Sequence, residues 1–529
     1  MQRAGSAAGV DAEHVASRLT GAEFVSLRCR ADGDALAATG LLARTLAAID
    51  TPFQAAVRRP GHVREPATEA DLVLNVGLTD PSTATGDAGR GGSDDTDDGD
   101  GGDAGADDHG NRVDDGDALA ATGLLARVLA TIDTPFQATV SRPGSDREET
   151  TDADLVVRVG VADPADGIDD AATPEGSDGE SLALPGEPPP ASLAAVDVVR
   201  ELDYDPDPAL ALAGSVAAAV RDGRDPWDGS FAEANEALLD RARERGRLGD
   251  RRPGIAVPTA AVPDGLAHST LVHAPFSGNL ESVRERCGPL ADDGDGTEIA
   301  SLLALATVDA DGTSPRGAIA IERALRPIAL PGSTPVATLG GYADVLSCVA
   351  AERPGTGLGL VLGYDVRETT LDAWRAHARR AHAALREATV ARYDGLCVAR
   401  LGAIAGTEDT GRGEKGGGEE TDGDGRTAPV ATIARLVRDY RSPEPVALVV
   451  GDGIGALSAT EDRALGALLA EATRDLDGAG GGTERAAAAR FDADPEAFVA
   501  AVRSTLADGN RADDARTETR ADATVGDRS

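Results

Sequence analysis

Arg30-Ala31-Asp32-Gly33-Asp34-Ala35-Leu36-Ala37-Ala38 lies between a strand-like run, 24–29, and a run with helical apolar spacing, 34–48. A strand that ends in an acidic, glycine-containing turn and opens a helix aims carboxylates into a cleft. On the helix, Leu36, Leu41, Leu42, Leu46 and Ile49 form an apolar face. Two further strand-like runs follow at 53–57 and 72–76, separated by the turn residues Arg59-Pro60-Gly61. Strand–helix–strand order predicts a parallel, doubly wound α/β sheet. Asp32 and Asp34 fit the amino-terminal cap of the helix. Two readings stand for Arg30, a phosphate contact and a surface salt bridge.

The same stretch occurs twice. Residues 115–164 repeat 32–81 at a constant offset of 83, with 37 of 50 positions identical, and DGDALAATGLLAR is the same in both copies. A solenoid needs about three repeats or more, so this is a single internal duplication. The second copy has no evident first strand. The residues before it, 82–114, are rich in Gly, Asp and Ser, and 163–194 form a second acidic connector, the composition of disordered linkers. Which copy enters the sheet is open: the other packs at an edge or competes for the same place.

The chain of 529 residues has room for two or three domains. No run of 18 apolar residues and no signal-like amino terminus occurs, so neither a membrane span nor secretion is expected. Cys29, Cys287, Cys348 and Cys397 show no C-x-x-C pairing, which argues against a zinc site or a disulfide framework and for a cytoplasmic protein. The formal charge is −40, and Lys415 is the one lysine among 51 basic residues. Such a chain suits a salt-in halophile. At molar salt the Debye length is about 3 Å, so a local arginine patch can still meet a phosphate.

Beyond the duplication, helices are expected at 195–202, 208–220 and 232–245, and short strands at 255–262 and 269–272. A boundary is placed within 275–296. The remainder reads as a second α/β unit, with helices at 298–307, 316–325, 342–351 and 371–389 and strands at 357–362, 395–401, 430–432 and 446–450. The insert 406–427 and the tail 507–529 are expected to be mobile. His268 and His273, and His377 and His382, lack the spacing of a helical zinc pair and read as structural or exposed.

The opening stretch resembles the first metal motif of the DHH phosphoesterase superfamily, D-x-D-G-x-x-A-A, as RecJ-type nucleases carry it. Asp32 and Gly33 match, and Arg30 stands at the first aspartate; in the repeat, Asp115 matches and Val113 takes that first position. The second family motif, an aspartate ending a strand, falls on Gly77 and Gly160, and no D-H-H triplet occurs. Tyr342 to Cys348, followed by Gly355 to Gly363, resembles the family's helix-to-strand junction. Gly480-Gly481-Gly482-Thr483-Glu484-Arg485-Ala486-Ala487-Ala488 resembles the G-G-G-H-x-x-A-A-G loop of the DHH-associated domain, with Thr483 for the histidine and Ala488 for the last glycine.

The resemblance implies a DHH-type phosphoesterase domain with a parallel sheet over 12–285, and a smaller α/β DHH-associated domain over 290–505. It implies single-stranded DNA or RNA as ligand, and manganese or magnesium if the protein is an active exonuclease. The GINS complex and the replicative helicase are the implied protein partners. Asp32 and Asp34 are then the candidate metal residues, while Gly480, Gly481, Gly482, Thr483, Arg485, Arg490 and Arg30 are the candidate nucleic-acid contacts. For the glycine-rich stretch, anion-binding amides and a plain turn remain alternatives. Two functions of different class follow: an active metal-dependent exonuclease, and a catalytically degraded relative that binds single strands or replication proteins. A third is an unrelated α/β nucleotide-binding protein.

Overall fold

The computed structural model describes residues 8–58, 70, 72–77, 136–140, 155–159, 180–182, 190–229, 231–292, 296–310, 312–402, 428–507, 509 and 511. The expected linker 82–114, the turn residues Asp115, Val113 and Gly160, the insert 406–427 and nearly all of the tail lie outside these residues.

β1 (Val25–Arg30) is central, parallel to β2 (Phe53–Arg58) on one side and β3 (Leu72–Val76) on the other. Its first five residues are buried, the pattern of a parallel strand covered on both faces. α1 (Ala8–Gly21) precedes it, and α2 (Gly33–Ala48) starts three residues after it. Asp32 caps α2 by accepting from the amides of Asp34 (3.1 Å) and Ala35 (2.9 Å), which satisfies two of the four orphan N–H groups at the helix start. The duplicated strands β4 (Phe136–Val140) and β5 (Leu155–Val159) also enter this sheet. β6 (Glu180–Leu182) completes it, inside the segment expected to be a disordered connector. The order is β4-β2-β1-β3-β5-β6, with every pair parallel. Both copies therefore contribute: the first holds the centre and the second lies at the two flanks.

α2 is buried along almost its whole length because two small-residue helices, α3 (Ala191–Glu201) and α4 (Pro208–Asp222), pack on it. Their approach is close enough that a Cβ at Gly214 would stand 2.7 Å from Ala37 Cβ and 2.6 Å from Ser192 Cβ. α4 starts at the Asp207 cap with Pro208 in its first turn, and ends at Gly223 in the left-handed region.

The helices α5 (Ala232–Glu244), α6 (Val262–His268), α7 (Leu280–Asp292), α8 (Gly296–Val308), α9 (Arg316–Ala324), α10 (Leu339–Glu352), α11 (Pro354–Val361) and α12 (Arg367–Glu387) follow. Here the structure departs from expectation. Within 255–262 Ile255 makes a single isolated bridge, to Leu325, and Val262 already opens α6, while 269–272 is irregular. Residues 357–362 lie in a helix with Pro354 in its first turn, and 430–432 open α13 (Val430–Leu436). Short buried apolar runs do not distinguish strand from helix by periodicity.

The second sheet has the order β11-β12-β10-β9-β8-β7. Its strands are β7 (Thr389–Tyr393), β8 (Leu396–Arg400), β9 (Val446–Gly451), β10 (Ile454–Ala459), β11 (Ala479–Gly482) and β12 (Ala486–Arg490). Only β8 and β9 pair in parallel. α13 runs on into a π turn, Val437–Arg441, and α14 (Leu465–Thr473) and a last helix, α15 (495–507), complete the unit. Leu339, Tyr342, Leu346, Leu358, Leu371 and Trp374 belong to the core of the parallel sheet, whereas Leu396, Leu448, Leu457 and Phe498 form a separate core.

Candidate functional site

The carboxyl ends of β1, β2 and β3 deliver Arg30, Arg58 and Gly77 to one edge of the parallel sheet, where open α/β sheets bind ligands. The Arg30 guanidinium donates to the Asp32 carboxylate and to the Gly77 carbonyl. Gly77 has φ +66°, and a Cβ there would press on Ala35 at 3.2 Å. A glycine fits that turn where an aspartate would be strained.

From the other side α4 brings Arg221, whose NH1 is 3.4 Å from Asp32 Oδ2. Arg221 also makes a fork with Asp222, donating to Oδ1 at 2.8 Å and Oδ2 at 2.9 Å. Asp222 meets the second sheet: Thr483 Oγ1 donates to Asp222 Oδ1 at 3.5 Å, and Arg485 NH1 to its carbonyl at 3.4 Å. Arg485 and Arg224 both hold Asp462. Charges of alternating sign thus run from Arg30 in the first unit to Arg485 in the second.

Burial acts to raise the Asp32 carboxyl, but the Arg30 and Arg221 guanidiniums and the cap hydrogen bonds outweigh it and hold the group below its ordinary value. For Asp34, burial, reinforced by the neighbouring Asp32 charge, raises the carboxyl. Burial works against the Arg221 charge; Asp222 and Asp32 reverse that and raise it above its ordinary value.

Asp34 faces away from this edge. It accepts from the amides of Ala191 (2.8 Å) and Ser192 (2.9 Å) and from the Ser192 hydroxyl (2.7 Å), and so anchors the start of α3. These residues do not fit a divalent ion. Asp32 is shared among two amides and two guanidiniums, Asp34 is consumed by α3, and the remaining ligand positions of the motif hold Arg30 and Gly77. Among the described residues no group of three or more His, Cys, Asp or Glu side chains is placed to hold a metal.

The glycine-rich stretch is half of a hairpin. Gly480, Gly481 and Gly482 pair antiparallel with Ala489, Ala488 and Ala487. At Gly480 and Gly482 the lack of a side chain serves packing: a Cβ at Gly480 would lie 2.8 Å from Leu469 O on α14, and one at Gly482 only 2.1 Å from Ala486 O, whereas Gly481 faces open space. At the tip, Thr483 Oγ1 accepts from the amides of Arg485 (3.3 Å) and Ala486 (3.1 Å). The fold therefore brings Arg30, Asp32, Thr483 and Arg485 into one network. Arg490 sits at the other end of β12, roughly 14 Å along the strand.

A family description, "Uncharacterized protein rrnAC1427, C-terminal domain", matches residues 388–504, the second sheet with its helices. The uncharacterized protein rrnAC1427 of Haloarcula marismortui is 42% identical over 397 residues, covering 74% of this chain and 91% of that protein. The chain belongs to the rrnAC1427 family. Solved structures similar to this rrnAC1427-family protein include RecJ of Thermus thermophilus in complex with Mn2+, at 15% identity and a TM-score of 0.40 over 95% of this chain. The alignment spans 55% of that RecJ. CDC45 from Entamoeba histolytica is similar at 9% identity and a TM-score of 0.47, over 94% of this chain and 99% of that one.

In this rrnAC1427-family protein His268, His273, His377 and His382 are interior groups. His273 and His382 stack with their Nδ1 atoms 3.1 Å apart, and His382 Nε2 lies 3.0 Å from Ser269 O. Burial first, then the facing imidazole and Arg441 and Arg386, pushes His273 down to about 2. Burial likewise lowers His382 to about 3, against the hydrogen bond to Ser269 and with Arg386, Arg435 and His268 adding to the fall. Both groups start from 6.5, so below about that pH the unfolded chain binds more protons than the folded one, and stability falls with pH. Thermal midpoints measured from pH 7 to pH 4 should drop steadily, and His273→Phe should reduce the slope; an unchanged slope would refute this.

Sequence reasoning missed Arg221, Asp222 and the interior cluster around Asp344. That carboxylate accepts from the Thr270 amide (3.0 Å), the Thr270 hydroxyl and the Trp374 indole (2.9 Å), while Arg435 donates to Thr270 O at 2.7 Å. Asp344 lies in the helix singled out by resemblance, but only the fold shows its partners.

Proposed function

We propose that this protein is a RecJ-like member of the DHH superfamily, which binds single-stranded nucleic acid in DNA replication or repair as a scaffold without hydrolytic activity. One observation carries the reading: the Asp32 carboxylate is neutralised by Arg30 and Arg221, so positive charge that a metal would bring to this turn is supplied by side chains. A two-metal hydrolase needs open carboxylate oxygens that clamp the attacking and leaving groups, and Asp32 and Asp34 have none to spare. What remains suits binding. Arg221, Thr483 and Arg485 lie where the two units meet, and guanidinium forks match phosphate geometry. The GINS complex and the replicative helicase are the proposed protein partners, in a halophilic cytoplasm that the charge of −40 suits.

An active manganese- or magnesium-dependent exonuclease is the second reading, favoured by the retention of the Asp32-Gly33 turn and its copy at Asp115-Gly116. Degradation of end-labelled single-stranded DNA and RNA in molar KCl with manganese, beside an Asp32→Ala, Asp115→Ala double variant, separates the two. Retained single-strand binding with no cleavage is expected. Robust cleavage that the double variant loses would establish the nuclease, and absence of both binding and cleavage would defeat both readings.

A further inference from the structure

β4 and β5 do not pair with arbitrary neighbours. Phe136 to Val140 lie beside Phe53 to Val57, and Leu155 to Val159 beside Leu72 to Val76. In all ten pairs the partners are 83 residues apart, so each duplicated strand lies in register against its own near-copy, FQATV on FQAAV and LVVRV on LVLNV. The duplication contains no second β1. In the first copy β1 separates β2 from β3; without one, the second copy's strands part and lie on the outer sides of β2 and β3, with β6 beyond β5. Pairing of this kind rests on main-chain hydrogen bonds, with alternate side chains selecting the register.

Nothing in that pairing requires the added strands to come from the same molecule. Fifty-nine residues intervene between Val76 and Phe136, a length of sequence whose upper limit of reach is roughly 200 Å. The span from β4 to β5 is four strand spacings, roughly 19 Å. We propose that the outer edges of β2 and β3 are strand-acceptor surfaces whose partner is β4 and β5 of a second copy of this chain, so that two chains exchange their duplicated strands. Closed monomer and exchanged dimer contain the same hydrogen bonds. The balance between them is set by the effective concentration that the intervening chain imposes, which falls as that chain lengthens, against the concentration of other chains. Reciprocal exchange closes after two chains and does not propagate. The inference is independent of the nucleic-acid reading.

The test uses full-length chains in molar KCl. Gln54 and Gln137 are register partners, and adjacent strands about 4.8 Å apart are within disulfide reach. A Gln54→Cys chain and a Gln137→Cys chain with different tags are co-expressed, concentrated and oxidised, beside the Gln54→Cys, Gln137→Cys double variant. We expect a disulfide joining the two tags, in a dimer seen by light scattering whose ratio to monomer rises in proportion to monomer concentration. The double variant should close internally in dilute solution. Asn75→Cys with Arg158→Cys repeats the test at the other edge, in case the first pair perturbs folding. No mixed disulfide at either edge, while the double variants close internally, overturns the proposal. So does a dimer that forms without mixed disulfides, or failure of both double variants to close.

Discussion

Arg438→Ala is expected to cost about 3–5 kcal/mol, the range for breaking one partner of a buried ion pair. Arg438 is 1% exposed and sits in the π turn after α13. It donates to both carboxylate oxygens of Asp439 (2.8 and 3.1 Å), to Ser458 Oγ (3.0 Å), and to the carbonyls of Arg221 (2.7 Å) and Val220 (3.2 Å). Those carbonyls close α4, where a cation also meets the negative end of the helix. Gly223 makes room: a Cβ there would lie 2.8 Å from the guanidinium carbon. In the variant, Asp439 loses its paired guanidinium and keeps the weaker influence of Arg323, 4.0 Å away, and of Arg435, and stays buried without a hydrogen-bonded counter-charge. The same loss frees the end of α4 that positions Arg221 and Asp222. Urea unfolding in molar KCl measures the effect, and a loss below about 1 kcal/mol would contradict it. Arg438→Met with Asp439→Leu should recover part of the loss, because replacing both charges removes the uncompensated one.

Gly341→Ala should also be severe, by about 3 kcal/mol or more, the upper end of overpacking costs. This residue in the first turn of α10 is pressed against backbone: an added Cβ would lie 2.4 Å from Pro258 N and 2.5 Å from Val257 C. The contact cannot relax by a rotamer change. Thr338 ties the same place together, donating to Val257 O (2.7 Å) and accepting from the Gly341 amide (3.1 Å), and Ala337 N donates to Pro258 O (2.9 Å). Alanine gains about 1 kcal/mol in helix propensity, too little to offset the clash. Because α10 also carries Asp344 and stands with Ser347 against Gly33, a shift there would reach the start of α2. A thermal midpoint within a degree of the parent would refute the prediction.

Both variants act where distant segments of the chain join, and this is the part of the molecule that local pattern could not reveal. The strand–turn–helix of β1 and α2 was readable because its causes are local. An alternating strand-like run, Val25-Ser26-Leu27-Arg28-Cys29, ends at Arg30, and Asp32 caps two amides within three residues of itself. α4 was readable for the same reason, from Asp207, Pro208 and Gly223 at its ends. The duplication was plain in the letters, but not its placement, because a strand's neighbours are chosen by free sheet edges and not by its own residues. The run at 357–362 read as a strand and became a helix, since its apolar residues are buried on all sides and carry no period to decide between them.

The candidate site divides in the same way. The sequence by itself determined that Asp32 opens a helix and that Arg30 stands beside it. Tertiary structure alone decided that Asp34 belongs to Ser192, 158 residues away, and that Arg221 completes the charge balance of Asp32. It alone set Thr483 and Arg485 against Asp222 and left Arg490 apart. Caps and periodicity act within about one helical turn of chain. The partner of a buried charge is whichever group a distant element carries to it when the cores close.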